Sequence, residues 1–230
     1  MANVLLGVTG SVATVKAPEL VQELKRRGHA VRVVATRAAT FFFDPAAIAP
    51  KSDGGRDPAV VTLDEDEWAG HGDGQRYQRG GEVPHIELRR WAELLLIAPL
   101  DANTLAKLAV GLCDNCLTCV WRAWEPKRPV VLAPAMNTVM WEHPFTRRHL
   151  RSLAADAGAG HLPGHLDQDQ LLPLLNDRSP TLHVVPPISK ALACGDVGVG
   201  AMAALADIAA AVDRMLPRAA ATSPLSAPPE

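Results

Sequence analysis

The side chains of this chain best suited to chemistry are spread widely along it: His85, Asn137 and Cys194. His85 stands in Val83-Pro84-His85-Ile86-Glu87, where the chain enters an element behind a proline. An imidazole, with a pKa near neutrality, suits a proton acceptor there. Asn137 lies in Pro134-Ala135-Met136-Asn137-Thr138-Val139-Met140-Trp141, directly after the apolar run 130–133. A buried strand that breaks into an amide, two thioethers and an indole reads as a site loop at a strand's carboxyl end, where open α/β sheets bind ligands. Cys194 opens the segment Cys194-Gly195-Asp196-Val197-Gly198-Val199-Gly200. That glycine density predicts a flap able to close over a ligand and carry the thiol with it.

The elements that must position these residues follow from hydrophobic patterning. Apolar, β-branched runs recur at 4–8, 30–35, 60–62, 94–98, 130–133 and 182–185. Most are separated by stretches of helical period, such as 12–27, where Val12, Val15, Leu20, Val21 and Leu24 share one stripe and Gly28 supplies the stop. The alternation predicts an α/β fold: a three-layer, Rossmann-like, doubly wound, mostly parallel six-stranded sheet with right-handed crossovers. Near-continuous apolarity in the strands fits burial on both faces. Residues 1–216 are expected to form a single domain, with surface insertions at 50–81 and 156–181 and a disordered tail at 217–230.

Strand ends supply the binding loops. Gly7-Val8-Thr9-Gly10-Ser11-Val12 follows the first strand, and its small residues let backbone N–H groups and the Ser11 hydroxyl approach an anion at a helix N-terminus. Because the spacing is not G-x-G-x-x-G, a mononucleotide phosphate is the more natural guest. The second strand ends at Thr36-Arg37-Ala38 and the fourth at Pro99-Leu100-Asp101-Ala102-Asn103-Thr104, where Asp101 or Asn103 serves as an N-cap. In a doubly wound sheet the ends of strands one, two, four and five open on one edge, and these loops together make a pocket.

Composition narrows the function. The chain has 230 residues, is 48% apolar and carries a formal charge of −2, which gives no sign of nucleic acid or an anionic membrane as partner. No apolar run approaches the roughly 20 residues that span a bilayer. Met-Ala-Asn-Val-Leu-Leu-Gly lacks the basic segment of a secretory signal, so a cytoplasmic protein is expected. Cys113, Cys116 and Cys119 fall in what reads as one unbroken helix over 103–124. A continuous helix cannot wrap three thiolates around a cluster, so reduced packing thiols and no metal are expected.

Taken together, the motifs resemble the homo-oligomeric flavin-containing cysteine decarboxylase family. The resemblance rests on Gly10-Ser11-Val12, on His85 with the following Ile-Glu-Leu-Arg-Arg-Trp-Ala, and on Ala98 through Lys107. It continues through Gly111-Leu112-Cys113-Asp114-Asn115 and the 134–141 motif to Ala193-Cys194-Gly195-Asp196. It implies bound FMN, with Gly10, Ser11 and Val12 in the first flavin loop and Thr36, Arg37 and Ala38 in the second. Asp101, Ala102, Asn103 and Thr104 match the third, and Ala135 a further contact. Relatives often have Ser where Asp101 stands, which requires that the Asp101 backbone do the binding or that its carboxylate avoid the phosphate.

The resemblance also assigns roles. His85 matches the proton acceptor, Asn137 the residue holding the substrate carboxylate with Met140 beside it, and Cys194 the proton donor. Ala191, Leu192 and Ala193 match the substrate-touching part of the flap. The implied reaction takes 4′-phosphopantothenoylcysteine to 4′-phosphopantetheine in coenzyme A biosynthesis. Flavin oxidation to a thioaldehyde creates an electron sink, loss of carbon dioxide leaves an enethiolate, and re-reduction with a proton from Cys194 restores the flavin. Peptide-modifying relatives stop at the enethiol, and some fungal relatives are non-catalytic phosphatase-regulatory or mixed-trimer subunits. Cys194 separates this chain from the first, and His85, Asn137 and Cys194 in one chain separate it from the second. The resemblance further implies a homotrimer with the active site at the subunit interface.

Overall fold

A computed structural model describes residues 1–68, 74, 76, 81, 83–191 and 197–216. Six strands form the central sheet: β1 (Asn3–Val8), β2 (Ala30–Ala35), β3 (Val61–Leu63), β4 (Leu94–Leu100), β5 (Val130–Pro134) and β6 (Leu182–Val184). Their order is β3-β2-β1-β4-β5-β6 and every pairing is parallel. The expected doubly wound sheet is therefore present, with its switch between β1 and β4. Burial on both faces explains the continuous apolarity: all seven residues of β4 are buried.

Helices cover both faces. Alternation along β1 sends Val4, Leu6 and Val8 to one face and Leu5 to the other. On the first face they meet Leu20 and Leu24 of α1 (Ala17–Arg26) and Ile208 and Val212 of α8 (Leu205–Met215). On the second face lie α2 (Pro84–Trp91), α3 (Ala102–Val110), α4 (Cys116–Ala123), α6 (Pro144–Ala154) and α7 (Gln168–Arg178). A short α5 (Thr138–Glu142) follows β5, and β7 (Ile188–Ala191) with β8 (Val197–Ala201) makes an antiparallel hairpin apart from the main sheet.

The structure corrects several sequence expectations. Val12 and Val15 are exposed rather than on the core stripe, because Val12–Lys16 is a 3-10 turn and the α-helix begins only at Ala17, with Pro18 in its first turn. The helix expected over 103–124 is two helices. Gly111, left-handed at φ 72°, closes α3, and Asn115 opens α4 with a capping box to Thr118. The insertion expected at 50–81 is narrower, since Val61–Leu63 is the edge strand and Glu67 in the 3-10 turn Asp64–Trp68 is buried. The insertion expected at 156–181 contains α7, whose Leu171, Leu172 and Leu175 join the second core. Residues 217–230 lie outside the described residues.

Candidate active site

The loops after β1, β2 and β4 converge at one point. The Thr9 hydroxyl donates to the Pro99 carbonyl at 2.8 Å and accepts from the Asp101 N–H at 2.8 Å, which ties the first loop to the third. A Cβ built on Gly10 would lie 2.6 Å from the Ala38 Cβ and 3.3 Å from Asp101 Oδ2, so only glycine lets the three loops close together. Ser11 caps the Val12–Lys16 turn by accepting from the Ala13 N–H. Asp101 Oδ1 caps α3, accepting from the Thr104 N–H at 2.6 Å, with Ala102 and Asn103 in the first turn of that helix. Thr36 directly follows β2, with its Oγ1 buried and without a hydrogen-bond partner among the described residues. A buried hydroxyl without a partner among the described residues, at the start of the loop that meets Gly10, is a group that a polar guest would satisfy.

The second half of this side is the 134–141 loop. The Ala135 N–H donates to the Leu100 carbonyl at 2.9 Å, and Asn137 caps α5 by accepting from the Val139 N–H at 2.8 Å. Met140 is half exposed beside it. The hairpin is fastened onto this loop: the Met136 N–H donates to the Gly200 carbonyl at 2.9 Å. A Cβ on Gly200, whose φ is 153°, would lie 2.2 Å from the Met136 oxygen, and one on Gly198 would lie 2.5 Å from the Thr138 Oγ1. The glycines expected for a mobile flap therefore serve close contact at β8. Ala191 ends β7, while Leu192, Ala193 and Cys194 lie outside the described residues.

His85 is built differently. It stands in the first turn of α2, after the extended Val83, and its Nδ1 pairs with Glu67 Oε1. The Glu67 side chain is 2% exposed and that of His85 19%. Ligand-type atoms of Glu67, His85 and Cys119 lie within 4.8 Å of one another. Burial, then the Glu67 charge, pushes the Cys119 thiol up to about 11, and the same two causes raise the buried Cys116 thiol. Asp64 links this cluster to the cradle, accepting from the Arg37 N–H at 2.8 Å and the Cys116 N–H at 3.3 Å. Burial holds its carboxyl above the usual carboxylate range.

Asp64 and Glu67 were missed by sequence reasoning because they sit in an Asp-Glu-Asp-Glu run that looks like solvated surface. The usable signal was position, since Asp64 directly follows Val61-Thr62-Leu63 and so stands at a strand's carboxyl end. The structure brings Gly10, Ala38, Asp101 and Ala135 together and sets His85 on the β3 side of the same edge. β3 and β5 are four strand spacings apart, roughly 19 Å at about 4.8 Å each. A cavity of about 450 Å³ beside Trp121, Trp124, Arg128 and Leu153 reaches Val130 and Leu182, which begin β5 and β6, and so lies at the opposite edge.

The chain is an α/β flavoprotein, with the Gly10–Ala38–Asp101 junction, the clamped Asn137 loop and the Glu67–His85 pair on the carboxyl edge of its doubly wound sheet. The flavoprotein family model matches residues 1–216. Mouse phosphopantothenoylcysteine decarboxylase is 42% identical over 215 residues, covering 93% of this chain and 87% of the mouse protein. Among solved structures, a Cys-to-Ser variant of a PPC decarboxylase complexed with pantothenoylaminoethenethiol superposes with a TM-score of 0.72 at 40% identity, covering 93% of this chain and 97% of the other. The FMN-binding protein AtHal3 gives a TM-score of 0.68 at 41% identity, covering 93% and 95%. The chain belongs to the phosphopantothenoylcysteine decarboxylase family of flavoproteins.

Proposed function

We propose that this protein decarboxylates 4′-phosphopantothenoylcysteine to 4′-phosphopantetheine, with FMN as cofactor, in coenzyme A biosynthesis. The observation that carries the reading is the convergence of the Gly10, Ala38 and Asp101 loops, with the buried Thr36 hydroxyl unpartnered among the described residues at the start of the second loop and the Asn137 loop clamped to the hairpin. These residues fit the group. Gly10, Ser11 and Val12, Thr36, Arg37 and Ala38, and Asp101 to Thr104 would hold it, with Ala135 behind. The Asp101 carboxylate commits Oδ1 to its own helix while Oδ2 faces Gly10, so backbone N–H groups of these loops would hold the phosphate. When bound, FMN supplies a two-electron acceptor and donor, which leaves the net redox change at zero.

The chain's own groups supply the rest. The cap that Asn137 makes on α5, with Oδ1 accepting from the Val139 N–H, fixes the orientation of the amide that meets the substrate carboxylate. His85, with Nδ1 on Glu67, offers Nε2 to accept a proton. Cys194 returns a proton to the decarboxylated carbon from the flap, where Ala191, Leu192 and Ala193 contact substrate.

The protein acts as a homotrimer in the cytoplasm, with His85 facing a neighbour's flavin. Two observations support the trimer. His85 and Asn137 stand on opposite sides of the sheet edge, and Val12, Val15, Phe41, Trp68, Val139 and Met140, all following strand carboxyl ends, expose apolar surface. The test is anaerobic turnover of the FMN-loaded protein with 4′-phosphopantothenoylcysteine. Equal yields of carbon dioxide and 4′-phosphopantetheine without an external oxidant are expected. Accumulation of the enethiol would favour the peptide-modifying type of reaction, and a flavin-loaded protein that releases no carbon dioxide would favour a binding subunit.

A further inference from the structure

We infer that Glu67 is a positioning residue for the reaction: its buried carboxylate accepts the Nδ1–H of His85, fixes the tautomer with Nε2 as the basic nitrogen, and balances the imidazolium formed when Nε2 takes a proton. The inference rests on His85 being the proton acceptor. It begins from the cost of burial, because a carboxylate removed from water is strongly disfavoured unless it is paired. Glu67 keeps 2% of its side chain exposed, and the bond that Oε1 accepts from His85, with the Cys116 thiol beside the carboxylate, offsets its burial.

Among the described residues the surroundings leave no rival for that role. Of the four acids in the Asp64–Trp68 turn, Asp64 accepts from the Arg37 and Cys116 N–H groups. Asp66 holds Arg56 at 2.7 Å and the Leu63 N–H at 2.7 Å, and Glu65 is largely exposed. Arg89 of α2 turns to Glu125, and Arg90 to Glu87. The α4 thiols of Cys116 and Cys119 are both pushed up, so they stay protonated at neutral pH and bring no competing cation or anion. Proton flow balances simply: the substrate proton passes to Nε2, Nδ1–H stays on the ring, and the positive charge sits against Glu67. A carboxylate that holds a catalytic imidazole in this way sets its tautomer and stabilises the charged form without itself being protonated.

The test combines Glu67→Gln, His85→Asn and the double variant in FMN-loaded protein, with ring-nitrogen NMR of His85. The expected result for Glu67→Gln is a kcat fall of about 10- to 100-fold with KM changed by about twofold or less and flavin binding kept. Glu67→Asp, which keeps the charge, should recover part of the loss. No further loss is expected when Glu67→Gln is added to His85→Asn. The wild-type ring should show a protonated Nδ1, and Glu67→Gln should shift that signal. An undiminished Glu67→Gln effect in the His85→Asn background would overturn the proposal, as would a ring signature that ignores Glu67. A stoichiometric metal held by Glu67, His85 and Cys119, with activity abolished by chelation, would also overturn it. Full activity of His85→Asn would refute the proton-acceptor reading as well. That outcome is distinct from failure of the pairing alone, in which His85→Asn is inactive and Glu67→Gln is not.

Discussion

The two sides of the catalytic edge are built on opposite principles. On the β2, β1, β4 and β5 side the site is made by what is missing: Gly10, Gly198 and Gly200 omit a Cβ so that loops can touch, and the buried Thr36 hydroxyl has no partner among the described residues. On the β3 side it is made by what is buried, a carboxylate, an imidazole and two protonated thiols packed against one another. Under the proposed function the first side holds a ligand and needs polar groups left over, and the second moves a proton and needs a charged group taken out of water, where its pairing is strong.

The largest effect that separates the two sides is expected from His85→Asn. It should lower kcat by roughly 1,000-fold while flavin content is kept, because proton transfer is lost and the cradle is untouched. Rapid-mix turnover and the flavin spectrum read both quantities, and loss of flavin would merge the two sides. Next comes Gly200→Ala, whose Cβ would meet the Met136 oxygen at 2.2 Å on a backbone that disfavours side chains. Displacing the hairpin from the Asn137 loop should raise KM by about tenfold or more, consistent with an overpacking cost of about 1–3 kcal/mol. Unchanged KM would show that the hairpin is not part of the clamp.

Thr36→Val sharpens the contrast because its two effects have opposite sign. Removing a buried, unpaired hydroxyl should stabilise the flavin-free protein by about 1 kcal/mol, a rise of about 2–4 °C in Tm, while FMN affinity falls about tenfold. Calorimetry and flavin titration check this, and a loss on both counts would mean the hydroxyl is not reserved for the ligand. The effect with least bearing on turnover concerns Cys119. With its thiol pushed up to about 11, its thiolate fraction at pH 8 is roughly a hundredfold below that of an ordinary thiol, so alkylation should trail the exposed Cys113 and catch up as pH rises. Replacing Glu67 by Gln removes the charge that opposes the thiolate and should speed Cys119 labelling. Mass-spectrometric labelling kinetics that show equal rates at pH 8 would contradict the buried charge.

The same contrast explains what could be read in the sequence. Strands buried on both faces declare themselves as continuous apolar runs, and the cradle loops as small residues after them, so the sheet and Gly10, Thr36 and Asp101 were legible. Glu67 was not, because an acid that turns inward carries no mark in a run of acids. The α7 helix was hidden by Pro173 and by polar neighbours, although Leu171, Leu172 and Leu175 anchor it. The break between α3 and α4 depended on Gly111 adopting φ 72°, which composition leaves open. The β7–β8 hairpin read as a loop because its glycines serve packing against Met136 and Thr138 rather than a strand pattern.

The central claim is that one site is completed by the two sides of different protomers, and subunit mixing tests it most directly. His85→Asn and Asn137→Asp, the latter keeping the α5 cap, should each be inactive alone. Co-expressed in equal amounts, they should regain about a quarter of wild-type turnover, since random assembly of a closed ring pairs an intact His85 with an intact Asn137 in that share of sites. A mixture that stays as inactive as either parent would contradict the account.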